Sequence, residues 1–146
     1  MAEYNFKLTG WKAVAVIALV VAISSVRYFS RFQTVNDQGR DALTAWLLKD
    51  YNGQGLRDLM KRVQDYKAGL PMQPMTEIKP MNIEFASLTA HGLPSGMVAK
   101  AQITVDGSPP PDGRPVRYFY LTRNVDGVWT VFTETDAFSY YRALWR

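Results

Sequence analysis

The residues from Ala13 to Val26 read AVAVIALVVAISSV and carry no charge. Trp11 and Lys12 precede this run, and Arg27 and Tyr28 follow it. An apolar segment with aromatic and basic side chains at both ends is suited to a bilayer, where the amphipathic residues lie among the headgroups. Crossing the hydrocarbon layer takes roughly 20 helical residues at about 1.5 Å each, and the charge-free run is shorter than that. Extended from Leu8 to Phe29 it reaches 22 residues, provided that Lys12 and Arg27 turn their heads outward along their own stems. Ser24 and Ser25 are tolerable in lipid because their hydroxyls bond to carbonyls one turn earlier. The expectation is a single transmembrane helix with Trp11, Lys12, Arg27 and Tyr28 as its membrane-interface residues.

Two other readings use the same residues. A signal peptide has a basic start, an apolar centre and a small-x-small cleavage motif, which Ala22-Ile23-Ser24 supplies; the product would be a secreted soluble domain. A buried core helix is disfavoured because residues 13–23 are apolar on every face, in a chain too short to surround them. The basic residues are nearly balanced across the segment, Lys7 and Lys12 before it and Arg27, Arg31 and Arg40 after it. The positive-inside rule therefore leaves orientation open; the short N-terminal flank favours a signal-anchor with the domain on the extracytoplasmic side.

The expected organisation is a membrane anchor and stalk over residues 1–34 and one small domain over residues 35–146, long enough for a single core. The formal charge is +4. Residues 1–34 hold most of it, with Lys7, Lys12, Arg27 and Arg31 against Glu3. The remainder is nearly neutral, and its one basic doublet, Lys61-Arg62, lies between Asp58 and Asp65. A nucleic-acid surface gathers basic charge on one folded face, so no nucleic-acid partner is expected. There is no cysteine, which excludes disulfides, thiolate metal sites and a cysteine nucleophile. It is compatible with a bacterial envelope domain.

Residues 27–52 read as a helix leaving the membrane, with a bend at Asn36–Arg40. Asn36 or Asp37 would cap a second helix, Gln38–Tyr51, and Asn52-Gly53 would stop it. Leu56, Leu59, Met60, Val63 and Tyr66 form the stripe of a further amphipathic helix, expected to cover a sheet. Pro71, Pro74 and Pro80 make residues 70–82 an extended connector. From Ile83 the pattern alternates. Strands are expected over 83–90, 97–105, 116–123 and 128–135, with turns at His91–Gly96 and Asn124–Gly127 and a proline-rich loop at Asp106–Pro115. Asp136 would cap a short helix toward residue 146. The fold class is α+β, with one or two amphipathic helices on a roughly four-stranded antiparallel sheet. In element order alone this resembles cone-like domains of the nuclear-transport-factor-2 kind, a likeness that implies a sheet curved around a pocket.

Residues with chemical potential are few. His91 is the single histidine, so a zinc site, which takes three or four ligands, is not expected. Placed in a turn, His91 reads as a surface residue; alone it would serve a pocket as a general base. No nucleophile elbow, phosphate loop or dinucleotide fingerprint occurs. Glu134 and Asp136, two apart at a strand end, would share a face as paired carboxylates. Met72, Met75 and Met81 are soft donors for Cu(I), or flexible filler over apolar surface. No catalytic residue, cofactor or metal is assigned.

Aromatic residues crowd the last third of the chain. Tyr118, Tyr120, Tyr141 and Trp145, with Arg117, Arg123 and Arg142, have the composition of an interface core. They are the expected partner-binding residues. The functional expectation is a non-catalytic, single-pass accessory subunit docked on other membrane protein subunits. The alternatives are a membrane-tethered ligand-binding or enzymatic domain with a pocket near His91, and the secreted domain already described.

Overall fold

The computed structural model describes residues 10–71 and 80–146. Met72 and Met75, two of the three sulfur donors considered for copper, lie outside these residues; Met81 packs against the core.

Helix α1 spans Trp11–Arg31 and buries none of its residues in the protein. Its best window has a mean hydropathy of 2.0, and it is the one helix among the described residues long and apolar enough to cross a membrane. Its 21 residues give a length of about 30 Å. Ser25 donates its hydroxyl to the Val21 carbonyl at 2.8 Å, as its place in an apolar helix demands. The helix does not continue toward residue 52. It ends at Arg31, and Phe32–Gln33 form a two-residue strand, β1, paired with Ala90 and His91. Ladder bonds to an existing strand compete directly with another helical turn.

Helix α2 spans Asp37–Lys67, capped by Asn36, whose side-chain oxygen accepts from the Gly39 amide at 2.9 Å. Two helices were expected here and one is found. A glycine in a helix interior costs about 1 kcal/mol, and Gly53 and Gly55 do not stop a helix with good formers on either side. The first half packs on the sheet through Leu43, Leu47 and Tyr51, all buried at four-residue spacing. The second half does not cover the sheet as expected. It extends as an arm with Leu56, Met60, Val63 and Tyr66 exposed.

The sheet has five strands in the order β1-β2-β3-β4-β5, each antiparallel to its neighbour. Strand β2 is Ile83–Leu93, β3 Gly96–Val105, β4 Val116–Arg123 and β5 Trp129–Thr135. The α+β meander agrees with the sequence expectation, with β1 as the added strand. Its inner face and α2 share one core: Ala99, Ala101 and Ile103 from β3, Phe119 and Leu121 from β4, and Leu43 and Leu47 from α2 are fully buried.

Two irregularities decide which residues face out. Phe85 pairs with Ile103 but Ser87 with Gln102, so Ala86 is an extra residue in β2. A bulge of one residue inverts the two-residue alternation beyond it. Ile83 and Phe85 point to the core before it, Leu88 and Ala90 after it, which sends Thr89 and His91 to the outer face. In β5, Tyr120 pairs with Thr133 and Leu121 with Val131, leaving Phe132 as the extra residue.

Helix α3, Ala137–Arg142, is capped by Asp136, which accepts from the Ser139 amide at 2.8 Å. This bond holds the Asp136 carboxyl below its ordinary value. Asp136 therefore leaves the sheet, and the expected pairing with Glu134 on one strand face does not form.

Candidate interaction site

His91 was expected in a surface turn. It lies inside β2 at 2% exposure, and the turn is confined to Pro94-Ser95. Its ring is stacked on Tyr140 of α3 with centroids 4.0 Å apart. Tyr28, from the last turns of α1, meets it edge-on at 5.7 Å, and Phe32 of β1 lies 6.3 Å away. The imidazole thus holds α1, β1, β2 and α3 together. Its Nδ1 is 3.2 Å from the Tyr140 carbonyl oxygen; a carbonyl only accepts, so Nδ1 carries the proton. Nε2 is buried with no hydrogen-bond partner among the described residues. Burial pushes the His91 pKa below its ordinary value, partly offset by the Tyr140 carbonyl. Tyr140 adds a bond between its hydroxyl and that of Thr89 at 2.7 Å.

The pocket proposed beside His91 is replaced by the protein's own rings. Shallow hollows among the described residues lie elsewhere. One, of about 470 Å³, runs along α1 by Ile23, Val26 and Arg27. Another, of about 450 Å³, lies on the α2 arm by Asp58, Arg62 and Leu70.

Arg117 is separated from the other residues of its predicted group. It points to the inner face at 2% exposure, so it is not available to a partner. Its Nε donates to Glu134 Oε1 at 2.9 Å and its Nη2 to Glu134 Oε2. Nη1 and Nη2 also donate to Asp50 Oδ2 of α2 at 3.2 and 3.1 Å. Asp112 stands 3.6 Å away. Trp46, Tyr51 and Phe119 place their rings 5.2 to 5.9 Å from the guanidinium carbon, close enough for cation–π attraction. Burial opposes the Arg117 charge, but Glu134, Tyr51 and Asp50 outweigh it and raise the pKa above its ordinary value. This cluster binds α2 to the sheet at the end opposite the Pro94-Ser95 turn. Among the described residues, no group of His, Cys, Asp and Glu has an arrangement that could hold a metal ion.

The remaining predicted partner residues lie on or beside the outer face. Tyr118 is half-buried, 5.7 Å from Tyr140. Tyr120 is partly exposed and meets Phe132 edge-on at 6.0 Å. Tyr141 packs edge-on against Tyr140 at 5.2 Å yet remains exposed, as do Arg142 and Trp145. Arg123 donates to the Gly127 carbonyl at 2.7 Å. Helix α3 packs over β2 and β3, so the outer side of β4 and β5 stays open, and Phe132 stands there 72% exposed. Phe132 faces outward by alternation from Trp129 and Val131, which pack in the core, and the bulge beside it turns Glu134 inward to Arg117. In α1, Trp11, Lys12 and Arg27 are exposed, while Tyr28 is shared between the helix surface and His91.

The chain matches no known protein-family model, no curated protein and no solved structure.

Proposed function

We propose that this chain is a non-catalytic, single-pass accessory subunit of a larger membrane assembly, anchored by α1 and docked through the open outer side of β4 and β5. The observation that carries the reading is the Tyr120–Phe132 pair, two rings in edge contact of which Phe132 is largely exposed and Tyr120 partly so. An exposed aromatic patch on a sheet face is characteristic of an interface core. Anchoring supports the same reading, because confinement to the bilayer raises effective concentration and lets a small patch suffice. In this proposal the domain lies on the extracytoplasmic side.

The test is photocrosslinking in native membranes with benzoylphenylalanine at position 132 and, as a control, at Ser108 in the far loop. A discrete adduct from position 132 alone supports the reading; only monomer from both positions counts against it. Intact-mass measurement of the membrane-extracted chain separates an anchored subunit from a secreted domain, since signal cleavage would remove residues 1–24.

A further inference from the structure

Several features of the fold meet at one end of the sheet. Phe32 pairs with His91 and Gln33 with Ala90, so α1 arrives from the side of the Pro94-Ser95 turn. The turn between β4 and β5 is at the same end, since the Arg123 amide donates to the Ser95 carbonyl at 3.0 Å. Helix α3 returns along the outer face toward this end. There the Arg31 guanidinium, on the last residue of α1, donates to the backbone oxygen of Arg146 at 2.9 Å.

We infer that this end of the domain rests on the bilayer: Leu93, Val125 and Trp145 enter the headgroup layer, and Arg31, Arg142 and Arg146 bind the phosphates of anionic lipids. The inference depends on α1 spanning the membrane, as proposed above. Distance supports it. Arg27 and Arg31 are four helical residues apart, about 6 Å, and the interfacial layer on each side of a bilayer is roughly 5–8 Å deep. No linker follows, because Phe32 is already in the sheet. With Arg27 and Tyr28 at the headgroups and Tyr28 against His91, the hairpin tip at Pro94-Ser95, three residues past His91 on the side from which α1 arrives, lies at the headgroups too.

Surface chemistry supports it as well. Leu93, Val125 and Trp145 are 47%, 105% and 62% exposed, an unfavourable arrangement in water and a suitable one at a lipid interface. Arg27 and Arg31 are on the last turns of α1, Arg123 is at the β4–β5 turn, and Arg142 ends α3 four residues before Arg146, which Arg31 holds; Asp126 is the acidic residue in the β4–β5 turn. Basic side chains beside an anchor are attracted to anionic headgroups. This assigns Arg142 and Trp145 to lipid and leaves Tyr120 and Phe132 for a protein partner.

The chain has no cysteine, so single spin labels can be placed freely. The full chain is reconstituted into vesicles of phosphatidylcholine and phosphatidylglycerol with a label at V20C, L93C, V125C or S108C. Collisions with dissolved oxygen are compared with collisions with a water-soluble nickel chelate. The V20C label reports the anchor and is expected to be shielded from nickel. Labels at L93C and V125C are expected to show roughly threefold lower nickel accessibility than S108C, which is at the far end of the sheet. If V20C is shielded while L93C and V125C match S108C, the inference is overturned and the anchor stands. If V20C is in water, both fall. In the V125C background, R142Q with R146Q should reduce nickel protection to that seen in phosphatidylcholine alone; unchanged protection overturns the anionic-lipid part.

Discussion

The imidazole of His91 lies flat against the ring of Tyr140 at 4.0 Å, and its Nδ1–H points to the carbonyl of that same residue. Stacking and hydrogen bond together dock α3 onto β2, and Tyr28 extends the contact to α1. Replacing His91 with Ala removes the ring contacts and strips the Tyr140 carbonyl of its donor. A loss of roughly 2–4 kcal/mol is expected, measured by denaturant unfolding in detergent. His91→Phe preserves ring packing and should lose less. Equal losses would mean that the hydrogen bond dominates.

The same histidine makes stability pH-dependent with a defined sign. Burial lowers its folded pKa below the ordinary 6.5. Above that value both states hold a neutral imidazole and it adds no slope. Below it the unfolded chain takes the proton first, so stability falls with falling pH until the folded value is passed, then levels. The contribution appears as the pH-dependent difference between the wild type and His91→Phe. As His91 is the single histidine, its NMR titration locates the folded pKa directly; a midpoint at or above 6.5 would contradict the burial argument.

Arg117 is buried among carboxylates from α2, β5 and the proline-rich loop. Arg117→Met leaves Asp50 without its cation, and Glu134 and Asp112 with only the exposed Arg114 at 3.2 and 3.3 Å; a loss of about 3 kcal/mol is expected. Arg117→Lys retains charge but not the two-pronged grip on Glu134, and should fall between the two. Combining Arg117→Met with Glu134→Gln should cost less than the sum of the single changes, because the two residues share one interaction. Additive losses in a thermal or denaturant series would refute the coupling.

Gly92 has a φ of +146°, and a Cβ there would lie 2.6 Å from the Gly96 carbonyl oxygen. Both the backbone and the space exclude a side chain. Gly92→Ala is expected to destabilise the domain by roughly 1–3 kcal/mol, seen as a lower melting temperature. An unchanged melting temperature would show that the hairpin relaxes freely.

Phe132 presents the opposite case. At 72% exposure it adds little to the fold, and Phe132→Ala should change stability by no more than about 0.5 kcal/mol. The partner adduct expected of a docked subunit, read through a photoreactive residue at position 120, should drop sharply in the same variant. A variant that unfolds, or one that crosslinks as well as the wild type, would remove Phe132 from the interface.

Local signals in the sequence determined a large part of this protein. An uncharged run with aromatic and basic ends yields α1, because helix length and hydropathy are additive along a chain. Alternation from Met97 to Val105 places β3, Asn36 caps α2, and Asp136 caps α3, each within a few residues of the position it controls. Tertiary structure alone decided the rest. The ladder continues to Leu93 and Gly96, which takes His91 out of the expected turn, and the bulge at Ala86 turns it to the outer face and its aromatic cluster; alternation carries no warning of one extra residue. Arg117 was grouped with surface arginines because its carboxylate partners, Asp50 and Glu134, are 67 and 17 residues away in sequence. The two halves of α2 differ in role because the sheet reaches only as far as Tyr51. The reason is common to all three. Backbone propensity is local and readable in sequence, whereas the burial of a ring or a charge depends on which distant strand arrives beside it.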